Sequence, residues 1–160
     1  MTIFFQGEEI FKMAIKIEEI GLEFYKIAGK NSKSPDMKEL FDYLAREEIK
    51  HKKIFESLKE TAIESAQGVP IDWDEVDLYI QAMVEDSMFI GDDKGIASSV
   101  FAEDEKKAVS HALQFEKETL LYFYQISELV KPGDRPAVHK IIEEEKKHIR
   151  RLIKIKKKIS

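Results

Sequence analysis

Two copies of the motif Glu-x-x-His constrain the fold of this chain more than any other feature of its sequence. They begin at Glu48 and Glu145, and each interrupts a series of apolar residues that recur every three or four positions. This spacing is typical of the core-facing side of an α-helix. The apolar residues around the motifs are Met37, Leu40, Phe41, Leu44, Phe55 and Leu58, and Val138, Ile141, Ile142, Leu152 and Ile155. The sequence therefore predicts that both motifs point into the core of a helical bundle.

One further glutamate lies upstream of each motif and interrupts another apolar series. Glu18 lies between Ile17 and Phe24, and Glu116 lies between Leu113 and Leu120. Glu18 and Glu48 are 30 positions apart, and Glu116 and Glu145 are 29 positions apart. This near-equal spacing is an internal repeat. It predicts that four carboxylates and two imidazoles converge in one core, namely those of Glu18, Glu48, His51, Glu116, Glu145 and His148.

Four converging carboxylates would destabilise a small domain unless cations compensate their charge. Burial of an unpaired ionised group costs several kcal/mol, which is a large part of the stability of a domain. Two divalent cations would cancel the charge of four ionised carboxylates. Residues three apart on a helix share one face, so each Glu-x-x-His can offer a carboxylate and an imidazole to one ion. The alternative is a bundle whose core faces are displaced by one residue, because a glutamate-rich chain also produces the motif by chance.

Composition limits the class of protein. A chain of 160 residues fits a single domain, here 1–160. The absence of cysteine excludes disulfides and thiolate metal sites, so we expect any electron donor to be another molecule.

A net charge of −5 argues against nucleic-acid binding, and the basic end of the chain, 150–158, is interpreted as compensation of a helix dipole. The sequence contains neither a signal-peptide pattern nor an apolar stretch of about 20 residues, so we expect a cytoplasmic protein without a membrane partner.

Turn and capping signals divide the chain into four long helices. The first is predicted over about 8–30. The second begins at Pro35 after Ser34 and runs to about 66. The third is predicted over about 102–131, and the fourth follows Asp134, with Pro136 in its first turn, and runs to 158.

Short joins predict that the first two helices form one hairpin, over about 8–66, and the last two another, over about 102–158. The join between the hairpins spans some 35 positions and contains a capping pattern, Asp72 to Glu75, that predicts a short helix to about residue 86. So long a connection indicates a crossover along the bundle. The predicted fold is therefore all-α, a four-helix bundle of two hairpins joined by a long crossover with a short connecting helix.

At these residues the sequence resembles the rubrerythrin branch of the ferritin-like superfamily over nearly the whole chain. The similar segments are 14–18 with Tyr25, 44–51, 112–124 and 145–148. The resemblance implies that Glu48 and Glu145 bridge two metal ions. It also implies that Glu18 and His51 complete the coordination of one ion, and Glu116 and His148 that of the other. Tyr25 and Tyr124 match positions from which a hydroxyl can reach the ligand carboxylates, although each tyrosine could equally serve core packing.

The resemblance implies a non-haem di-iron carboxylate oxidoreductase. The six ligands would then be the catalytic residues, and the cofactor two iron ions per chain, with manganese also possible. Hydrogen peroxide or dioxygen would be the substrate, a separate donor such as a rubredoxin would supply electrons, and the protein would be a homodimer in oxidative-stress defence.

The sequence departs from the family pattern in two ways. Peroxide-reducing rubrerythrins carry a further metal-binding glutamate one turn after the third-helix ligand, where this chain has Thr119, and neither Glu103 nor Glu118 is in phase to replace it. The rubredoxin domain usual in the family is also absent from this sequence. Two alternatives therefore remain: a ferroxidase that stores or buffers iron, and a structural bundle that has lost its metal, although buried carboxylates without cations have no structural use.

Overall fold

The computed structural model describes residues 7–64 and 104–160, together with Leu78. The described residues form four long α-helices: α1 (Gly7–Asn31), α2 (Pro35–Glu64), α3 (Glu105–Leu129) and α4 (Arg135–Ile159). The prediction of an all-α four-helix bundle is confirmed. The connecting helix predicted from Asp72 to about residue 86 lies outside the described residues.

No helix in the described ranges combines the length and the apolar character needed to cross a membrane.

The helix ends follow the predicted signals with two differences. α3 begins at Glu105, later than predicted, because Asp104 is its N-cap and accepts a hydrogen bond from the backbone amide of Lys107 at 3.0 Å. Asp134 precedes α4 as predicted, but it has helical backbone angles and its side chain makes no capping hydrogen bond. Its Oδ2 lies 3.8 Å from Nζ of Lys131 instead, so an ion pair takes the place of the predicted cap.

The two hairpins pack side by side. α1 packs along α2 and α3 along α4, while α1 contacts α3 and α2 contacts α4, so α1 lies diagonally opposite α4. Oε1 of Glu105 accepts hydrogen bonds from the backbone amides of Lys33, at 2.7 Å, and Ser34, at 3.0 Å. α3 therefore starts at the end of the bundle where α2 also starts. Because α2 spans about 45 Å, the last residue of α2 and the first residue of α3 lie at opposite ends of the bundle, while the predicted crossover between them lies outside the described residues.

The apolar core has two parts with a polar layer between them. One part contains Ile10, Phe55, Phe123 and Ile141, and the other contains Tyr25, Met37, Phe41, Val109 and Leu152, each with its buried neighbours. On every helix the glutamates and histidines predicted to face inward lie between the residues of these two parts. The polar layer is thereby sealed on both sides by close-packed apolar side chains.

Candidate metal centre

The structure brings together all six residues that the sequence analysis predicted to converge. Their exposed fractions are 0–1%, and the six are Glu18, Glu48, His51, Glu116, Glu145 and His148. Glu145 lies at the centre: its Oε1 is 2.8 Å from Nδ1 of His51, and its Oε2 is 2.9 Å from Nδ1 of His148. The two imidazole rings stack at 20° with centroids 5.6 Å apart. Both motifs therefore present their ligand nitrogens to one shared carboxylate.

The six side chains form two overlapping groups that could each hold one ion. In each group the potential ligand atoms lie within 4.8 Å of one another. Glu48 and Glu145 belong to both groups, whereas Glu18 and Glu116 each belong to one. The groups are Glu18, Glu48, His51 and Glu145, and Glu48, Glu116, Glu145 and His148. This arrangement has the pseudo-symmetry expected from the internal repeat of the sequence.

The donor set fits two divalent metal ions. Both carboxylate oxygens of Glu18 and both of Glu48 are buried, and no N–H group and no Ser, Thr or Tyr hydroxyl of the described residues donates a hydrogen bond to them. Buried carboxylates in this state are costly unless a cation takes the place of the missing donors. Each group offers three carboxylates and one imidazole, an oxygen-rich set that suits iron or manganese and lacks the thiolates of a structural zinc site. The residues therefore fit the di-metal centre of the ferritin-like class.

Burial and mutual repulsion favour protons on the glutamates when no metal neutralises them. Burial raises the pKa of Glu18 well above its ordinary value. A hydrogen bond with Glu48 lowers this pKa, but the negative charges of Glu145 and Glu116 raise it further. Burial, followed by the charge of Glu18, raises the pKa of Glu48 in the same way. Burial and the charge of Glu145 raise the pKa of Glu116 to about 7.

The two imidazoles hold protons for the opposite reason. Burial lowers the pKa of His51, but the charge and hydrogen bond of Glu145 outweigh burial and raise this pKa to about 10. For His148, the charges of Glu116 and Glu145 outweigh burial and raise the pKa to about 11. Burial by itself would raise the pKa of Glu145, but attraction by the two protonated imidazoles outweighs burial, and the net pKa lies below its ordinary value. Metal ions must therefore displace protons from both kinds of ligand.

The two tyrosines predicted to reach the carboxylates have different environments. Tyr25 is fully buried, and its hydroxyl donates a hydrogen bond to Oε1 of Glu116 on α3. Burial and the charge of Glu116 raise the pKa of Tyr25 well above its ordinary value, so the hydroxyl keeps its proton. The prediction for Tyr124 was wrong: its side chain is 41% exposed and packs under Nζ of Lys146, 5.5 Å from the ring centroid.

Helical phase explains the error at Tyr124. Tyr25 is seven residues from Glu18, which rotates its side chain only about 20° around the helix, whereas Tyr124 is eight residues from Glu116 and rotates about 80°. Phe123 occupies the equivalent buried position on α3. That position has no hydroxyl, so among the described residues the contact between a tyrosine and a ligand carboxylate occurs on the α1 side of the pseudo-symmetric site only.

Sequence reasoning missed Glu144 and Glu47, which precede the two motif glutamates. Oε2 of Glu144 lies 2.9 Å from Nε2 of His51, on the ring edge opposite the ligand nitrogen. A carboxylate at this position favours a proton on Nε2 and leaves Nδ1 free to bind a metal. Glu47 is buried to 8% exposure beside both imidazoles, and its Oε1 pairs with Nζ of Lys50 at 2.5 Å. The repeated Glu-Glu doublet could have indicated these two residues.

Gly21 makes room for a ligand. A Cβ atom at this position would lie 2.7 Å from Oε2 of Glu48 and 2.8 Å from the Phe115 ring. We expect Gly21→Ala to displace the Glu48 carboxylate and to reduce metal binding below two ions per chain, which metal analysis after anaerobic reconstitution would measure.

Gly29→Ala is the matched control because it adds the same methyl group to the same helix. Its Cβ would meet Oδ1 of Asp42, the end of a flexible, half-buried side chain, at 2.7 Å. We expect this variant to bind two ions and to be as stable as the parent or slightly more, since alanine is favoured over glycine in helices by about 1 kcal/mol. Equal metal binding by both variants would contradict the role given to Gly21.

A four-helix bundle with this buried set of carboxylates and imidazoles defines a ferritin-like protein of the di-metal carboxylate class. The Rubrerythrin family model matches residues 9–118, and the chain belongs to this family. The matched range includes Glu18, Glu48, His51 and Glu116 and ends before the second motif.

One solved structure with the same fold is described as a ferritin-like diiron-carboxylate protein from Thermotoga maritima. It aligns over 100% of both chains with a TM-score of 0.67 and 24% sequence identity. No curated protein matches the chain.

Proposed function

We propose that this protein is a non-haem di-iron redox enzyme that reduces hydrogen peroxide. The observation that carries the proposal is the sharing of Glu48 and Glu145 by two ligand groups, which would hold two ions close together. Two adjacent iron ions can each change their charge by one, and together they would supply the two electrons needed to cleave an O–O bond. With two protons, these electrons convert one peroxide molecule into two water molecules.

The chain's own residues would bind the ions and control protons. The six ligands would hold two iron ions, with Glu48 and Glu145 shared and the neutral Nδ1 atoms of both imidazoles facing the centre. Tyr25 keeps a proton beside Glu116 and so orients that carboxylate. The apolar residues on both sides of the polar layer exclude bulk water, which strengthens the attraction between the ions and the carboxylates.

Anaerobic loading with ferrous iron tests the proposal. The protein should bind two iron ions per chain, and peroxide should oxidise them much faster than dioxygen at the same concentration. Comparable rates with dioxygen, together with a shell of many subunits on sizing, would support ferroxidase and storage function instead. Failure to bind two ions would overturn the di-iron proposal itself.

Thr119 lies where peroxide-reducing relatives are expected to have a seventh ligand. It is fully buried, and its Oγ1 has no hydrogen-bond partner among the described residues. Position 119 is one turn beyond Glu116 on the same face of α3, so a longer acidic side chain there would reach the same ion. We expect Thr119→Glu to raise the rate of peroxide turnover by about tenfold, which corresponds to about 1.4 kcal/mol of activation free energy.

Thr119→Gln is the control because a glutamine side chain has the same length as a glutamate side chain but adds no charge. If the glutamine variant accelerates turnover as much as the glutamate variant, the larger side-chain volume at position 119, and not an added carboxylate ligand, explains the faster turnover. If both variants retain two metal ions and neither changes the rate, Thr119 does not determine peroxide reactivity.

A further inference from the structure

The outer face of α4 carries a continuous basic stripe. Its six cations recur at intervals of three and four residues, are all exposed and extend over about 17 Å. No aspartate or glutamate occurs between residues 146 and 160. The stripe consists of Lys147, Arg150, Arg151, Lys154, Lys157 and Lys158.

Compensation of the helix dipole explains only the end of the stripe. The basic residues of the last turn are 156–158, and the dipole's effect is confined to about one turn. Lys147, Arg150 and Arg151 precede that turn. Within residues 7–64 and 104–160, none of the six cations forms an ion pair with a carboxylate. Like charges one turn apart repel one another, so neither the helix dipole nor ion pairs among the described residues account for Lys147 and Arg150.

The stripe is connected to the candidate metal centre through one aromatic side chain. The guanidinium carbon of Arg151 lies over the Tyr43 ring, 4.1 Å from its centroid. Tyr43 is half-buried, and its ring meets the ring of His148 edge to face, with centroids 6.1 Å apart. Tyr43 therefore spans the distance from the basic surface to a buried residue of the centre.

We propose that the basic stripe of α4 is the docking site of a small acidic one-electron carrier protein, and that electrons enter the centre through Tyr43 and His148. The proposal rests on the proposed redox function. Each encounter oxidises the carrier by one electron and reduces the protein by one electron, so two encounters supply the two electrons for one peroxide. Because electron transfer slows exponentially with distance, an aromatic ring between surface and centre favours this route.

Charge complementarity selects an acidic protein as the partner. The chain as a whole carries a net charge of −5, so its overall charge would repel extended polyanions. A small partner with a local acidic face would contact the stripe alone and would be steered to it. Nucleic acid and anionic membranes share the negative charge, but they donate no electrons.

The docking step can be tested with the iron-loaded protein and a reduced acidic [2Fe–2S] ferredoxin as the probe. We expect the triple variant Lys147→Gln, Arg150→Gln, Lys154→Gln to lower the bimolecular reduction rate at low salt by at least about tenfold and to weaken its salt dependence. Binding titration should show a matching loss of affinity. Arg151 is left unchanged so that the contact with Tyr43 is retained.

The matched control removes three exposed lysines from α1, diagonally opposite α4: Lys12→Gln, Lys26→Gln and Lys30→Gln. This variant has the same change in net charge, and we expect its rate and affinity to equal those of the parent. An equal loss in both triple variants would show a general effect of net charge and would overturn the docking site.

The route is tested separately by Tyr43→Leu and Tyr43→Phe. At saturating ferredoxin the leucine variant should transfer electrons at least about tenfold more slowly, with unchanged affinity and metal content, while phenylalanine should restore the parent rate. Equal rates in all three proteins would overturn the route through Tyr43.

Reduced methyl viologen is a small cation that the stripe does not attract. It therefore distinguishes a failure of the docking site from a failure of the proposed redox function. If it reduces the oxidised centre and ferredoxin does not, docking is wrong and the redox function stands. If neither reduces a centre that holds two iron ions, the redox function is wrong as well. Tighter binding of double-stranded DNA or of anionic phospholipid vesicles than of ferredoxin at equal salt would also overturn the choice of partner.

Discussion

Replacement of Glu145 by alanine is expected to abolish binding of both metal ions. One oxygen of Glu145 lies 2.8 Å from Nδ1 of His51 and the other 2.9 Å from Nδ1 of His148, and Glu145 belongs to both ligand groups. Its loss should weaken both sites by more than about 100-fold, because removal of even an outer hydrogen-bonding partner of a ligand typically costs about 10- to 100-fold in affinity. Metal titration followed by elemental analysis of the desalted protein measures this effect.

Two controls separate a shared ligand from a damaged fold. Glu145→Gln preserves the volume and removes the charge, and we expect it to lose both ions as well. Glu18→Ala should lose one ion, because Glu18 belongs to one ligand group. Circular dichroism should show that all three variants remain helical. Retention of one tightly bound ion in Glu145→Ala would show that Glu145 does not bridge.

Removal of metal with a chelator is expected to lower the melting temperature more at pH 7 than at pH 5. Burial raises the pKa values of Glu18 and Glu48 well above the ordinary 4.5 in the folded metal-free protein and that of Glu116 to about 7, so these residues keep protons at pH values where the unfolded chain has released them. His51 and His148, with pKa values of about 10 and 11, likewise keep their protons above the unfolded pKa of 6.5. The folded metal-free state therefore binds more protons than the unfolded state.

The sign of the effect follows from this difference in bound protons. Stability falls as pH rises wherever the folded state holds the excess protons, so the metal-free protein loses stability from pH 5 to pH 7. The lowered pKa of Glu145 has the opposite effect, but only as pH falls below about 4.5. Metal binding displaces these protons more easily at pH 7, so the metal-bound protein gains relative stability there.

Thermal unfolding with and without chelator at both pH values measures this effect. For a chain of this length, a loss of a few kcal/mol corresponds to a drop on the order of 10 °C in the melting temperature of the metal-free protein. Glu48→Gln should reduce the pH dependence of the metal-free form, because it removes one of the titrating groups. A metal-free protein as stable at pH 7 as at pH 5 would contradict a buried set of titrating carboxylates.

Periodicity explains why the six convergent residues could be predicted from the sequence. The spacing of three and four residues determines which side of a helix is buried, and each of the six interrupts an apolar series on that side. The capping and turn residues likewise located the four helices to within a few residues. Because the internal repeat places equivalent residues on both hairpins, convergence of the two halves followed from the sequence without knowledge of how the hairpins pack.

Contacts between atoms of different helices were decided by the tertiary structure. Tyr25 was predicted to reach a carboxylate, but its partner, Glu116, lies on α3, 91 positions away. The pairing of His51 with Glu144 joins α2 to α4, and the space beside Gly21 is filled by a carboxylate from α2.

The sequence by itself therefore determined the helices, their buried faces and the residues of the centre. The tertiary structure alone decided which hydroxyl and which outer carboxylate support those residues. The physical reason is that helical periodicity sets a side chain's direction around its own axis to within some tens of degrees, as the exposed Tyr124 shows. A hydrogen bond requires placement to within a few tenths of an ångström, and the offset and rotation of one helix against another set that placement.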